Sequence, residues 1–376
     1  MNVRTLVDAP IVAGTRVLVR IDSDVVAARG GEISGESAFR LDAALPTLKF
    51  LLKKKAVVTV MGHRSRPHGK KVAALSLAPV QKYLEKKLKT KVRFLPNVRF
   101  DAREEKNDAG YAAELAMGQD IFINESFATS HRAHASTFGI TKILPSFAGL
   151  QFEKEVRELS KLLNPEKPVA LIIGGAKIET KIPVIKKFVG VAEHIFVVGA
   201  GANAFFAARG VQIGDSLVSP ESIAAAKKLL PHKNIHAPID VMVGSGRTFR
   251  SVVFPEQLTK NFEACSAHSA ILDVGPATLV MMSEMLVDAH TIIWNGPAGK
   301  FEQPPFHLGT ERIARMLARA GRAGAQVVAG GGETVTAILQ NKMARGFSHI
   351  STGGGAMLEF LGGAKMPVID ALTDAC

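Results

Sequence analysis

The chain has 376 residues, of which 47% are hydrophobic, 22% charged and 6% aromatic, and its formal net charge is +13. At about 100–200 residues per domain this length predicts two domains, and the apolar content excludes a mostly disordered chain. No apolar run approaches the ~20 residues that cross a bilayer. Met1–Gly14 lacks a secretory pattern, and two cysteines, Cys265 and Cys376, are too few for a disulfide framework. We therefore expect a soluble, cytoplasmic protein.

Short β-branched runs alternate with helical patterns along the chain, which predicts βαβ units and parallel sheets. The strands predicted in the first half are Arg16–Arg20, Ala56–Val60, Val92–Leu95 and Asp120–Asn124. Those predicted in the second half are Val169–Ile173, His194–Val198, Ile271–Val274, Thr291–Trp294, Gln326–Ala329 and Ser348–Ser351. Helices are predicted over Leu77–Leu88, Phe152–Leu163 and Glu311–Ala320. The two prolines of Asn164–Pro168 end the second of these helices and mark the domain boundary.

The residues that follow the predicted strands differ between the two halves. Arginines and histidines follow the first-half strands, namely His63, Arg64, Arg66, Arg99, His131, Arg132 and His134. Ligands bind at the carboxyl ends of parallel strands. Any one of these arginines alone would be read as a solvated loop residue. Their recurrence at one sheet edge predicts instead a pocket for a small polyanion.

Glycine-rich turns follow the second-half strands and predict a nucleotide site, because such turns let backbone N–H groups approach phosphate. Gly199–Ala204 also matches a loose dinucleotide fingerprint, with Asp215 as its acidic partner, but a lone fingerprint is weak support for a dehydrogenase. Lys177 and Lys181 follow the diglycine at 174–175 and are four residues apart. On a helix they would share one face and could neutralise a transferring phosphoryl group.

Three other interpretations carry less weight. His131 and His134 have no Cys or second His pair to complete a zinc site. The net charge also suits nucleic acid or a membrane surface. The lysine runs Lys53–Lys55 and Lys86–Lys91, however, lie in or beside predicted helices, and one Trp and two Tyr offer few rings to stack on bases.

Several strings together resemble phosphoglycerate kinase, in that family's order and from Arg16 to the C-terminus. They are HRAHAS at 131–136, GGAK at 174–177, WNGP at 294–297 followed by Gly299 and Phe301-Glu302, SHISTGGGAMLEF at 348–360, and Arg40 within RLDAALPTL. The resemblance implies an α/β fold of two doubly wound, Rossmann-like domains joined by a hinge, with a ligand cleft between them. It also implies Mg2+-dependent, reversible transfer of phosphoryl between ATP and 3-phosphoglycerate by a monomer.

The resemblance further implies domains and site residues. The N-terminal domain, residues 1–153 with 366–376, would bind 3-phosphoglycerate. Residues 154–168 would form the connecting helix and hinge, and the C-terminal domain, residues 169–365, would bind the nucleotide. The 3-phosphoglycerate residues would be Asp22, Asp24, Arg40, His63, Arg66, Arg99 and Arg132. The nucleotide residues would be Gly175, Lys177, Lys181, Gly199, Asn295, Glu302, Gly331, Gly332, Glu333 and Thr334, with the backbone of Gly353-Gly354 also binding phosphate. The catalytic groups would be Arg40, Lys177, Gly332 and Gly354, and Glu333 would bind Mg2+.

The sequence departs from the family pattern at several positions. Asp24 stands where the family has Asn, and Glu333 where it has Asp. Arg64-Ser65 replaces Leu-Gly, Thr180 replaces a common Asp, and Pro96 replaces a common Glu. These departures leave a second hypothesis, a catalytically weakened paralogue that acts as a binding or scaffold protein.

Overall fold

The computed structural model describes residues 3–28, 30–245, 248–256 and 261–373. The chain forms two compact units: Met1–Lys161 with Thr352–Phe360 and Ala364–Cys376, and Leu162–Ser351 with Leu361–Gly363. The break at Lys161 lies inside the connecting segment that the sequence predicts. Thr352–Phe360, which the sequence assigns to the second domain, belongs to the first unit by its contacts. Cys376 lies outside the described residues.

The first unit contains a five-stranded parallel sheet in the order β3-β2-β1-β4-β5. Val17 and Val19 of its central strand pack on one face of the sheet and Leu18 packs on the other, so the strand is apolar throughout. The chain order reverses between β1 and β4, which is where such sheets bind ligands. The elements are β1 (Arg16–Arg20), α1 (Gly35–Ala43), α2 (Leu45–Lys53), β2 (Val57–Met61), α3 (Ala78–Leu88), β3 (Arg93–Phe94), α4 (Ala109–Ala116), β4 (Ile121–Asn124), β5 (Ser146–Ala148) and α5 (Leu150–Lys161).

The second unit contains a six-stranded parallel sheet in the order β16-β15-β14-β6-β7-β9. Its chain order reverses between β14 and β6, and both of these strands are buried along their whole length. Its elements are β6 (Val169–Ile173), α6 (Ile182–Phe188), β7 (His194–Val197), α7 (Ala200–Ala208), β8 (Gln212–Ile213), α8 (Pro220–Leu229), β9 (Ile235–His236), β10 (Asp240–Ser245), β11 (Thr248–Val253), β12 (Glu263–Cys265), β13 (Ala270–Val274), α9 (Pro276–Met285), β14 (Thr291–Asn295), α10 (Leu308–Arg322), β15 (Gln326–Gly330), α11 (Gly332–Gln340) and β16 (His349–Ser351).

The chain then continues through α12 (Gly355–Leu361) and α13 (Pro367–Leu372). Thr352 is tied to α5 because its N–H and its hydroxyl both donate to the buried Glu155 carboxylate, at 2.7 and 2.8 Å. After α12, the Leu372 carbonyl accepts a hydrogen bond from the Arg4 N–H at 2.7 Å. The described part of the C-terminal segment therefore packs on the first unit.

The predicted α/β class with parallel sheets is confirmed, but one strand assignment is wrong. Ile271–Val274 was expected in the parallel sheet, whereas β13 pairs antiparallel with β10 in a separate three-stranded sheet. β10 and β11 form an antiparallel pair that the sequence reading passed over, although both strands are rich in β-branched residues. None of the described helices is both long and apolar enough to span a bilayer.

Three aromatic rings in edge-to-face contact hold the returning segment on the first unit. Phe127 lies edge-on to Phe152, with ring centroids 5.8 Å apart, and edge-on to Phe360 at 6.1 Å. We predict that Phe127→Ala lowers the free energy of unfolding of this unit by about 3–5 kcal/mol in urea, because it empties a buried site. Val7→Ala, at a side chain that is 76% exposed, should change it by less than about 0.5 kcal/mol. A loss below about 1 kcal/mol for Phe127→Ala would contradict this packing.

Candidate active site

Polar side chains meet at the carboxyl ends of the first sheet. Asp22 and Asp24 follow β1, His63 follows β2, and Arg99 lies in the short 3-10 turn Val98–Phe100 after β3. Arg40 reaches the same place from the last turn of α1. The parallel order of β3, β2 and β1 brings these loops to one edge, as the sequence predicts.

Arg40 is held on three sides before any ligand is present. Its Nε lies 2.9 Å from Glu36 Oε1 and 3.6 Å from Asp22 Oδ2, and its Nη1 donates to the Asp24 carbonyl at 2.8 Å. Attraction by Asp22 is the main reason that the pKa of Arg40 is raised. The guanidinium is therefore a fixed cation at the edge of the cluster.

His63 is buried and its tautomer follows from its neighbours. Arg20 Nη2 lies 2.8 Å from His63 Nδ1. A guanidinium only donates, so Nδ1 must accept. Burial, together with repulsion from Arg20 and Arg99, lowers the pKa of His63 to about 4. The neutral ring therefore carries its proton on Nε2, which faces Asp24 Oδ2 at 3.6 Å.

Asp24 is an anion inside this cationic cluster. Its Oδ1 accepts the Ser65 N–H at 2.7 Å. Burial alone would raise the pKa of Asp24, but the facing His63 Nε2–H, the hydrogen bond from the Ser65 N–H and attraction from Arg40 hold that pKa below its usual range. The carboxylate is thus charged at neutral pH, and its side chain is 45% exposed.

Arg20, Ser136 and Glu104 form a buried network that sequence reasoning missed. Arg20 Nε donates to Ser136 Oγ at 3.1 Å, and Ser136 donates through Oγ and N–H to Glu104 at 2.6 and 2.9 Å. Burial lowers the pKa of Arg20 and raises that of Glu104, and each charge partly offsets this effect on the other. The sequence offered one signal for this network: Arg20, the last residue of the strand RVLVR, is charged although it follows three apolar residues.

The remaining arginines of this edge differ in what they contact. Arg64 is buried and donates to the carbonyls of Val25, Ala74 and Ser76 at 3.2, 3.3 and 2.9 Å, so its role is to hold loops together.

Arg99 donates to the Ser65 carbonyl at 2.9 Å, and Arg132 to the His131 ring at 2.9 Å. Burial is the main cause of a lowered pKa for Arg99, and Arg132 is near enough to lower it further. Arg66 is exposed and makes no hydrogen bond or ion pair within the described residues. The contacts therefore link Asp22, Asp24, Arg40 and His63 directly and Arg99 through Ser65. Arg132 lies near enough to repel Arg99 but contacts His131, and Arg66 stands apart.

In the second unit, glycine turns pack directly against one another at the reversal point between β6 and β14. Gly174 and Gly175 donate backbone N–H groups to the carbonyls of Asn295 and Pro297, both at 2.8 Å. A Cβ on Gly174 would lie 2.2 Å from the Pro297 oxygen, and one on Gly296 would lie 2.2 Å from the Gly174 oxygen. Only glycine fits at these two positions.

Asn295 and Thr334 hold these turns in place. Asn295 Nδ2 donates to the Gly330 carbonyl at 2.9 Å, and Thr334 Oγ1 accepts the Gly296 N–H at 2.7 Å. Gly199 and Gly331 precede α7 and α11 with φ values of 63° and 99°, so both need the left-handed freedom of glycine. Gly332 begins α11.

Lys177 and Lys181 do not share a helical face. Lys177 is exposed and precedes the 3-10 turn Ile178–Lys181, whereas Lys181 is buried and its Nζ donates to the Gly174 carbonyl. Burial lowers the pKa of Lys181 to about 8, although Glu333 and Glu179 attract its charge. The expectation of two lysines side by side fails because the turn is tighter than an α-helix.

A cavity of about 450 Å³ opens beside these turns. Of the predicted nucleotide residues, Gly175, Gly199, Glu302 and Glu333 line it. Apolar side chains that sequence reasoning missed form its other walls, including Phe206, Leu217, Val241 and Leu272. A glycine-lined mouth with apolar walls suits a ligand that has both phosphates and a flat ring.

The predicted glycine loops are divided between the units. Gly331 and Gly332 belong to the second unit, whereas Gly353 and Gly354 fall in the Thr352–Phe360 segment of the first. A Cβ on Gly354 would meet no atom within 4 Å, and its φ is 51°, so its backbone is open to an approaching group.

Glu333 offers a single carboxylate for a metal ion. Within the described ranges, no three His, Cys, Asp or Glu side chains group closely enough to bind a metal by themselves. Glu333 Oε2 would lie 3.9 Å from a Cβ on Gly175, and Lys181 Nζ would lie 3.0 Å from it. Mg2+ is usually bound by one or two carboxylates plus substrate phosphates. The donor set therefore fits a magnesium ion that arrives with a nucleotide.

The chain is similar to phosphoglycerate kinases over its full length. The family model described as phosphoglycerate kinase matches residues 7–96 and 89–364. The phosphoglycerate kinases of Chloroflexus aggregans and Cereibacter sphaeroides are each 39% identical to it, covering 100% and 99% of this chain and 100% of their own.

Two solved structures are also similar. The phosphoglycerate kinase of Coxiella burnetii has a TM-score of 0.82 at 33% identity and covers 99% of each chain. That of Pyrococcus horikoshii has a TM-score of 0.83 at 26% identity and covers 98% of each chain.

The buried His134 makes the first unit sensitive to acid. Burial, reinforced by Arg99 and Arg132, lowers the pKa of His134 to about 3. Unfolded histidine titrates near about 6.5, so between these values the unfolded state binds more protons and acid favours unfolding. We predict that His134→Gln flattens the pH dependence of the unfolding free energy by about 1.4 kcal/mol per pH unit between about pH 4 and 6.

The control is Met117→Gln in the same unit, at a side chain that is 73% exposed and carries no titratable group. It should leave that slope unchanged. Equal slopes for the wild type and His134→Gln would show that His134 titrates normally.

Proposed function

The chain belongs to the phosphoglycerate kinase family, and from this premise we propose how its own residues transfer a phosphoryl group between ATP and the carboxylate of 3-phosphoglycerate. The reaction yields ADP and 1,3-bisphosphoglycerate and is a step of glycolysis. The observation that carries the proposal is the pre-formed cluster around Arg40 and His63. That cluster supplies fixed cationic and polar groups, and it supports the proposal in addition to the full-length family match.

The first unit binds 3-phosphoglycerate. Arg40, Arg99 and Arg132 present guanidinium groups, which bind phosphate or carboxylate through paired hydrogen bonds. His63 and Asp22 orient the substrate hydroxyl and carboxylate end, and Arg66, which is free among the described residues, is available to the phosphate.

The second unit binds the nucleotide in the 450 Å³ cavity. The apolar walls take the base, Glu302 takes the ribose, and the backbone at Gly175, Gly199 and Gly331 approaches the phosphates. Lys181 and the exposed Lys177 neutralise phosphate charge. Asn295 and Thr334 act by holding the glycine turns, as their hydrogen bonds to Gly330 and Gly296 indicate.

Phosphoryl transfer to a carboxylate needs mainly alignment of the two substrates and stabilisation of charge. A carboxylate is ionised at neutral pH, so it needs no general base, unlike a hydroxyl acceptor. Transfer then depends on positioning and on stabilising the charge of the moving phosphoryl group. Arg40 and Lys177, with the backbone N–H groups of Gly332 and Gly354, supply that stabilisation. Mg2+ near Glu333 would neutralise the nucleotide phosphates when bound.

The scaffold alternative gains nothing from these observations, since Asp24, Ser65 and Arg64 leave Arg40, His63 and Arg99 in place. We further propose, on the family resemblance alone, that the protein is a cytoplasmic monomer and that it has no nucleic-acid partner.

Arg40 is our candidate for the cation that stabilises the transition state. We predict that Arg40→Ala lowers kcat about 10²- to 10³-fold, the usual loss for one such donor, while either KM changes less than about threefold. Coupled measurement of ADP formation gives both constants. Arg93→Ala, at an exposed position on β3 of the same sheet, should leave both unchanged. A change in KM alone would show that Arg40 does not stabilise the transition state.

Asp24 places a negative charge in a site for an anion. A like charge about 4 Å away costs roughly 1 kcal/mol in a solvated site, a factor of about five. We therefore predict that Asp24→Asn lowers KM for 3-phosphoglycerate about fivefold and leaves KM for ATP unchanged.

Asp42→Asn is the control for this change, because Asp42 is similarly exposed, at 40%, and pairs with Lys87 outside the cluster. A higher KM for 3-phosphoglycerate in Asp24→Asn would show that the carboxylate helps to bind the substrate, and an unchanged KM would show that its charge does not act on the substrate; either result would contradict the prediction.

A further inference from the structure

A second cleft opens in the second unit, between α9, α10 and the β10–β11 pair. Its volume is about 650 Å³, within the range of roughly 300–1,000 Å³ that small-molecule sites occupy. Its walls are mainly apolar and include Met242, Phe249, Leu279, Val280, Phe306 and Met316. Phe249 and Val280 of this lining are 54% and 58% exposed, so part of the apolar wall faces solvent.

The charged groups of this cleft favour an anion. Arg312 and Arg315 of α10 line it, and Arg315 is already paired with Glu311, at 2.6 Å. Arg312 is exposed and makes no ion pair or hydrogen bond within the part of the chain that the structure describes. The acidic lining residue, Asp273, is buried and accepts the N–H groups of Gly309 and Val274 at 2.7 and 2.9 Å. A free guanidinium above an apolar wall therefore matches a molecule with one anionic end.

The cleft shares a wall with the proposed nucleotide cavity. In the segment 297–308, Pro297–Lys300 and Glu302 line the nucleotide cavity, whereas Pro305, Phe306 and Leu308 line the cleft. Asp273 and Val274 line both. The segment is tightly packed, since a Cβ on Gly299 would lie 2.6 Å from the Phe306 oxygen. A ligand in the cleft would therefore contact the same segment that lines the nucleotide cavity.

We propose that this cleft is a second small-molecule site, for an amphipathic anion with an apolar chain or ring and one carboxylate or phosphate head group. Its occupancy changes nucleotide affinity through the segment 297–308. The coupling rests on the proposed nucleotide site, whereas the cleft itself does not.

Calorimetry with decanoate and with decyl phosphate, below their micellar concentrations, tests the site directly. Both should bind one molecule per chain, and the tighter one identifies the preferred head group. Decanol, which lacks the charge, should bind at least about tenfold more weakly. Equal binding of decanol, or no binding of either anion, would overturn the proposal.

Two variants test whether decanoate binds in this cleft. Arg312→Gln should weaken decanoate binding about tenfold or more by removing a charge-assisted contact. Val280→Trp should abolish it by filling the cleft from an exposed position. Arg322→Gln, an exposed arginine of the same helix that does not line the cleft, is the control and should bind as the wild type. Binding that survives both test variants would place decanoate elsewhere and overturn the proposal.

ADP titrations with and without saturating decanoate test the coupling. ADP affinity should change about fivefold or more, and an unchanged affinity would overturn the coupling. ADP that fails to bind even without decanoate would instead contradict the proposed nucleotide site, while decanoate binding would still stand.

Discussion

The first unit depends on burying one guanidinium, that of Arg20, at the carboxyl end of its central strand. A buried charge without partners costs several kcal/mol, so each of its three nitrogens needs a hydrogen-bond partner. They reach Ser136, His63 and the Ile21 carbonyl, and Ser136 passes the contact on to the buried Glu104 carboxylate. This arrangement fixes the loops after β1 and β2 relative to each other and keeps His63 neutral. The side chains of this cluster are consequently held in place by their own contacts within the first unit.

In the second unit, backbone groups rather than side chains fix the loops at the carboxyl ends of the strands. Gly174, Gly175 and Gly296 let two loops approach so closely that any Cβ at 174 or 296 would collide with a carbonyl. One lysine, Lys181, is buried against the Gly174 carbonyl, and burial lowers its pKa to about 8. The turns therefore lie beside a cation whose charge is more easily lost than that of an exposed lysine.

Much of this organisation was predictable because parallel strands end at one edge, so the residues that follow them in sequence must meet. The alternation of strands and helices and the meeting of His63 and Arg99 followed from that rule, whereas Arg40, which lies on α1, was expected only from the family resemblance. The burial direction of individual arginines did not: Arg64 turns inward to three carbonyls and Arg20 lies beneath His63, since only tertiary packing decides which guanidinium is covered. The antiparallel pairing of β10, β11 and β13 was also missed, because strand direction depends on partners that a local pattern does not specify.

The central claim is that this chain transfers a phosphoryl group between ATP and 3-phosphoglycerate. Its most direct test is the formation of ADP from ATP with Mg2+ in the presence and absence of 3-phosphoglycerate. The structure and the family membership predict turnover that requires both the nucleotide and 3-phosphoglycerate. Absence of turnover with either Mg2+ or Mn2+, or ATP hydrolysis that ignores 3-phosphoglycerate, would contradict it.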